Sequence, residues 1–210
     1  FGPLLNGSST ILCESPMLLL NSDNLEKLIS LGATIIYLPV TLIRLLKASG
    51  IKIKSNCVKI KALGSMGEPL ASSVGKWYST KFKNSGTSIV NTYFQTETGG
   101  IISSPRYNQT SLSNPHSTVG DLITNHIKIK KLEKNLKKEF TISSPWPGVM
   151  KKILNGSKEW NKYWDKDSNF KMFDLATRDK GKIYIHGRID DVINIRGHRI
   201  GSGELEAIAL

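Results

Sequence analysis

The decapeptide NTYFQTETGG, residues 91–100, sets Tyr93 and Phe94 beside a row of hydroxyl and amide groups, one carboxylate and a pair of glycines. A solvated loop has no need of the two aromatics, and a core strand has no use for Gln95, Thr96 and Glu97. An apolar wall, polar groups in a row and room for close backbone approach together suit a flat ligand that carries charge. A second stretch of this kind is LGSMGEPL, residues 63–70, where Gly64 and Gly67 allow close approach and Glu68-Pro69 opens a helix. Taken alone, Gly-Glu-Pro is ordinary turn chemistry. Two Gly-rich strand ends about 30 residues apart can, however, face one crevice, because ligands of open α/β sheets bind at the carboxyl ends of strands. The third candidate is Asp174 with GRIDDVINIRGHR, whose Arg188, Arg196 and Arg199 are the only Arg cluster in the chain. Guanidinium forks suit phosphate or ribose.

Competing chemistries lack their residues. The four histidines, His116, His126, His186 and His198, have no metal-type spacing with one another or with the cysteines. There is no Gly-x-Ser-x-Gly elbow and no Gly-x-x-x-x-Gly-Lys phosphate loop. No nucleophile presents itself, whereas a nucleotide-shaped site does.

These residues need elements to position them. Asp23 and Glu26 predict a capping box, with Leu25, Leu28 and Ile29 forming a helical stripe that ends at Gly32. ATIIYL follows as a short buried strand, and Val40–Ser49 as a helix with Leu42, Leu45 and Leu46 inward and Gly50 at its end. VKIKALG then reads as a strand, PLASSVGKWYSTKF as a helix with Pro69 near its first turn, and TSIVNTYF as the next strand. Strands alternating with helices at this spacing predict an α/β fold with a mainly parallel sheet. Beyond residue 101 the rhythm changes. SSPRYNQTSLSNPHS is a loop, IKIKKLEKNLKKEF fits either a basic helix or a hairpin arm, and GKIYIHGRIDDVINIRGHRI alternates as two strands joined at Arg188–Asp191.

With 210 residues, 39% hydrophobic and 22% charged, the chain can bury a core as one large or two small domains. The formal net charge is +12, yet only six of 29 basic residues are Arg. Lysine is the usual solvated surface cation, so the excess points to composition rather than to nucleic acid. The longest apolar run is broken by Pro39 and Arg44 and is too short for a bilayer. No signal peptide is read, so no membrane partner and a cytoplasmic location are expected. Cys13 and Cys57 sit in apolar contexts and read as small core residues of a reducing compartment. The Asn-x-Ser/Thr sequons at Asn6, Asn108 and Asn155 read as chance. The chain opens as if in the middle of a fold and ends inside a predicted helix, which reads as a piece of something longer.

Four motifs, GSMGEPL, NTYFQTETGG, SPWPGVMKKILNGSKEWNKYW and GRIDDVINIRGHRIGSGELEAI, occur in the order and at the spacing of one family. In these the chain resembles the AMP-forming acetyl-CoA synthetases of the adenylate-forming superfamily. The resemblance implies residues 1–189 as the C-terminal part of a large AMP-binding domain with a small β-rich subdomain. Residues 190–210 would be the hinge, at Asp190, and the first residues of a small C-terminal domain. It implies ATP, coenzyme A and Mg²⁺ as cofactors, with a short carboxylic acid activated as acyl-adenylate and then passed to the thiol of coenzyme A. Gly67, Glu68 and Pro69 would lie against adenine, and Asn91, Thr92, Tyr93, Phe94, Gln95 and Thr96 around adenine and the α-phosphate. Thr96, Glu97 and Arg199 would be catalytic, with Glu97 holding Mg²⁺. Asp174 would bind the ribose hydroxyls, Arg188 and Arg199 the ribose or phosphate, and Arg196 and Gly197 would lie beside coenzyme A.

The departures are informative. The family has Asp at position 91, Gly at 173 and Ser at 196, where this chain has Asn91, Phe173 and Arg196. Acetate-specific members have Trp and Val where Phe94 and Met66 line the acyl pocket here. A methylene in such a pocket is worth only about 1–3 kcal/mol, so acetate is expected first, with propionate or 3-hydroxypropionate close behind. An adenylating enzyme with another acyl acceptor and a Lys-rich nucleic-acid-binding module are the rival readings. The family's phosphate loop would precede Phe1 and its catalytic lysine would follow Leu210, so the 210 residues alone are expected to lack ligase activity.

Overall fold

The computed structural model describes residues 2–53, 59–82, 88–106, 118–143, 146–191, 193–195 and 198–200, the last two segments and Ser88 as backbone only. After a short helix α1 (Gly2–Leu5) and a 3-10 helix (Pro16–Leu20), the chain enters α2 (Ser22–Ser30). Asn21, not Asp23, caps α2: its side chain accepts from the Asp23 and Asn24 amides at 2.9 and 3.2 Å. Asn21, extended and two residues upstream of Asp23, presents its oxygen to the orphan amides, which Asp23 inside the first turn cannot do.

The strand β1 (Ile35–Pro39), helix α3 (Val40–Ala48), strand β2 (Ala62–Met66), helix α4 (Ser72–Lys81) and strand β3 (Ser88–Asn91) make two successive parallel crossovers. The sheet order is β1-β2-β3, with Ile35 opposite Ala62 and Ala62 opposite Ser88. The central strand β2 is buried through its first four residues, and Ile36, Leu38, Leu63 and Ile89 meet α3 and α4 in one core. In α3 the inward residues are Val40, Leu42, Ile43 and Leu46, while Leu45 is 45% exposed. Leu42 and Leu46 face inward as expected, while Ile43 rather than Leu45 completes the stripe with Val40. Tyr78 of α4 is buried and reaches the carbonyls of Ile36 and Gly64 at 3.4 Å, tying helix to sheet. Pairing in β2 starts at Ala62, later than expected, and α4 starts three residues past Pro69. Cys13 is exposed, not core, its thiol on the Ser15 carbonyl at 3.2 Å; Cys57 lies outside the described residues.

The second half is antiparallel. After β4 (Ser103–Ser104) and β5 (Asp121–Leu122) come β6 (Lys138–Ile142), helix α5 (Ser157–Lys162), β7 (Phe170–Asp179) and β8 (Lys182–Arg188), with sheet order β6-β7-β8. The Lys-rich 127–138 segment is the hairpin arm of the two open alternatives: Ile129 bridges Ile142, and the Lys130 amide donates to Thr141. The two strands expected over 181–200 are three among the described residues. β8 pairs with β7, a strand that the residue pattern did not announce, and β9 (Ile193–Ile195) pairs with β10 (His198–Ile200). A second core, including Tyr93, Ile102, Phe140, Phe170, Met172 and Ile183, lies under this sheet. Among the described residues no helix is long and apolar enough to cross a membrane.

Candidate functional site

Residues 91–99 run from the carboxyl end of β3, beside Tyr37 of β1 and Ser65 of β2, to Met172 and Asp174 of β7. Asn91 is buried and accepts from the Ser65 hydroxyl at 3.1 Å, while its amide reaches the Thr118 carbonyl at 3.5 Å. An Asn rather than an Asp at this place can meet that carbonyl as a donor, which a carboxylate cannot. The Thr92 hydroxyl donates to the Ser65 carbonyl at 2.9 Å and lies 2.6 Å from the Tyr37 hydroxyl. Tyr37 covers Gly64 so closely that a Cβ there would stand 2.1 Å from its ring, so this glycine is required by the aromatic laid across it.

From Tyr93 onward the chain turns to the second sheet. The Tyr93 hydroxyl donates to Asp174 Oδ2 at 2.5 Å, and Gln95 Nε2 donates to the same oxygen at 2.7 Å and to the Met172 carbonyl at 2.6 Å. Asp174 Oδ1 has no protein partner among the described residues. Burial pushes the Asp174 carboxyl above its usual range, while the Tyr93 and Gln95 bonds and the Arg188 charge pull the other way. Burial and the Asp174 charge hold the Tyr93 phenol well above its ordinary value, so it remains a donor. Asp174 lies opposite Arg188 in the β7–β8 ladder. Arg188 in turn grips the exposed Asp190 with two prongs, at 3.1 and 3.4 Å, and this bond holds the Asp190 carboxyl below its usual value.

Phe173, where the resemblance has glycine, keeps the left-handed backbone that glycine would adopt, at φ 54°. That conformation costs a side-chain-bearing residue about 1–2 kcal/mol. Its ring is compensated by an edge-on contact with Tyr163 at 5.2 Å and by the cations of Lys171 and Arg188 at 5.1 and 5.8 Å.

Thr96, Glu97 and Thr98 form one turn of 3-10 helix closed by a reciprocal capping box between Gln95 and Thr98. The 146–150 segment clamps it: Trp146 Nε1 donates to the Thr98 carbonyl and the Met150 amide to the Glu97 carbonyl, each at 2.8 Å. Glu97 Oε1 accepts the Tyr163 hydroxyl at 2.9 Å, and Oε2 has no partner among the described residues. Thr96 is exposed.

The structure brings Asn91, Thr92, Tyr93, Gln95, Glu97, Asp174 and Arg188 into one neighbourhood. Phe94 and Met66 are half-buried at the ends of β3 and β2. Gly67, at φ 89°, and Pro69 are exposed, and Glu68 is ion-paired to Arg44 of α3 at 3.0 Å. Arg199 is described as backbone in β10 only, and Arg196 and Gly197 lie outside the described residues. Sequence reasoning missed Tyr37, Arg44, Trp146 and Tyr163. For Tyr163 a signal existed, since Trp160, Tyr163 and Trp164 fall at helical spacing and Tyr alone of the three carries a hydroxyl.

A family model described as AMP-binding enzyme matches residues 1–151. Among curated relatives, the acetyl-coenzyme A synthetase of Marinomonas sp. (strain MWYL1) is 31% identical over 221 residues, covering 99% of this chain and 34% of that protein. Those of Vibrio vulnificus (strain YJ016) and Marinobacter nauticus are 32% and 33% identical, each covering 99% of the chain. The chain spans about a third of the length of the curated relatives it matches.

Proposed function

The chain belongs to the AMP-binding enzyme family, and from that membership we propose that its site serves the AMP-forming ligation of a short carboxylic acid, acetate first, to coenzyme A. The observation that carries this reading is the convergence of Tyr93 and Gln95 on a single oxygen of Asp174, which leaves the other oxygen open beside a Gly-rich strand end. An open, oriented carboxylate oxygen suits ribose hydroxyls. The names of the relatives, acetyl-coenzyme A synthetases, support the acid and the acceptor.

In the first half-reaction a carboxylate oxygen bonds to the α-phosphorus of ATP and the bond to pyrophosphate breaks. In the second the coenzyme A thiol gives up its proton to water, its sulfur bonds to the acyl carbon, and AMP leaves with the electron pair of the acyl–phosphate bond. Neither step needs a protein nucleophile, so positioning and charge stabilisation supply the catalysis. Asn91 to Gln95 would wall the adenine, Thr96 would meet the α-phosphate, and Asp174 with Arg188 would hold the ribose. Gly67, Glu68 and Pro69 would flank the base, with Glu68 steadied by Arg44. Arg199 would approach the phosphates, Arg196 and Gly197 coenzyme A, and Asp190 would be the hinge at the boundary between residues 1–189 and 190–210.

The donor set fits Mg²⁺. Among the described residues there is no group of three or more His, Cys, Asp or Glu, while Glu97 keeps one carboxylate oxygen without a partner. A small hard cation that retains waters and phosphate oxygens needs only one or two carboxylates. When bound it would neutralise phosphate charge, and Glu97 would be its protein ligand.

The acyl pocket carries Met66 and Phe94 where acetate-specific members have Val and Trp. One change fills space and the other opens it. Turnover of acetate, propionate and hexanoate by the full-length enzyme tests this. Acetate and propionate (or 3-hydroxypropionate) should be used with kcat/KM within about 200-fold of each other, and a clear preference for hexanoate would overturn the reading.

A further inference from the structure

The backbone of Glu97 is fixed from several sides: by the Gln95–Thr98 capping box, by the Met150 amide on its own carbonyl and by Trp146 on the carbonyl of Thr98. A Cβ on Gly99 would stand 2.1 Å from the Gly148 carbonyl oxygen, so the turn and the 146–150 segment are in backbone contact. What remains free is the Glu97 side chain, with three torsions. The Tyr163 hydroxyl removes that freedom at 2.9 Å from Oε1 and leaves Oε2 open.

Tyr163 is itself immobilised. Its ring stacks on Phe170 at 5.7 Å and 15°, stands edge-on to Phe173 at 5.2 Å and 80°, and its carbonyl accepts the Lys171 amide at 2.8 Å. A rigid donor on one carboxylate oxygen is the arrangement that presents the other oxygen ready for a ligand, sparing the side-chain ordering that binding otherwise demands.

We propose that Tyr163 is a positioning residue that holds the Glu97 carboxylate in its cation-binding orientation, through the Tyr163–Glu97 hydrogen bond and the seat of Phe170 and Phe173. This rests on the reading of Glu97 as the Mg²⁺ ligand. It also gives Phe173 a purpose that glycine would not serve: its ring braces Tyr163 on one side while the carboxylate of the next residue, Asp174, faces the ribose.

The test uses Mn²⁺ as the probe, with its affinity for the full-length enzyme in the presence of ATP read by electron paramagnetic resonance. Binding of AMP without metal is read by calorimetry. Tyr163→Phe keeps the ring stack and removes only the hydroxyl. The expected result is Mn²⁺ binding weakened about tenfold, the order expected for a hydrogen bond to a charged group, with metal-free AMP affinity within about twofold of the parent. Glu97→Gln should weaken Mn²⁺ at least as much. If Glu97→Gln weakens Mn²⁺ and Tyr163→Phe does not, the positioning role is overturned while Glu97 stands as the ligand. If Glu97→Gln has no effect, the metal reading fails and takes this inference with it. Equal loss of Mn²⁺ and AMP binding in Tyr163→Phe would mean general damage to the site and would also overturn the proposal.

Discussion

Asp174 accepts from Tyr93 and Gln95 on Oδ2, is buried in β7, and faces Arg188 across the ladder. Its carboxyl is raised mainly by burial, so the folded chain holds this proton more tightly than the unfolded chain does. The stability from this group is fully present below the ordinary aspartate value and is lost as pH rises through the raised folded value. Asp174→Asn keeps an oxygen for both donors and does not titrate. The thermal midpoint of the variant relative to the parent should therefore improve as pH goes from about 4 to 7, measured by scanning calorimetry at both pH values. AMP affinity should fall about tenfold or more through loss of charged hydrogen bonds, measured by titration calorimetry. A variant that loses stability at neutral pH while keeping AMP affinity would show that Asp174 is structural.

The first half of the fold was legible from its elements because its signals are local. Gly32 and Gly50 close α2 and α3 with positive φ, and the strand–helix alternation follows directly from hydrophobic period. The second half was not. Phe170–Asp179 lacks clean alternation because both faces of β7 are largely buried, and the lysines of 127–138 fit a helix as well as a hairpin until Ile142, far along the chain, chooses for them. At the site, the polar residues of 91–97 and Asp174 were visible as types, whereas Trp146 was not and Tyr163 showed only as the one hydroxyl of an aromatic stripe, since their partners are a carbonyl and a carboxylate more than forty residues away. The clamp between the 96–99 turn and the 146–150 segment makes its own prediction. Gly99 has φ 66° and meets Gly148 backbone, whereas Gly100 has open space around it. Gly99→Ala should cost about 2 kcal/mol or more and Gly100→Ala no more than about 0.5 kcal/mol, in denaturant midpoints. Equal costs would show that the clamp is loose.

Two cores, one under each sheet, make up the molecule, and the 91–99 segment passes from one to the other: Ile89 packs in the first and Tyr93 in the second. Among the described residues a few lysines pair with surface carboxylates, Lys130 with Asp165, Lys134 with Asp179 and Lys138 with Glu133, and such pairs leave the net charge of +12 unchanged. The apolar liability lies elsewhere. β1 is an edge strand of the described sheet, its Ile35 is 65% exposed, and Leu31 and Tyr37, close by in sequence, are exposed too. An exposed apolar edge invites association, so the 210-residue chain should scatter light increasingly with concentration, and Ile35→Lys should reduce that scattering. No change on Ile35→Lys would place the sticky surface elsewhere. The single open oxygen of Asp174 carries a consequence for which nucleotides can serve. With Oδ2 already committed to the protein, Oδ1 must satisfy both sugar hydroxyls of a ribonucleotide, and a 2′-deoxy sugar brings one fewer. On the role proposed for Asp174, the same two hydrogen bonds that steady the carboxylate also make the site count hydroxyls, setting ATP apart from the building blocks of DNA.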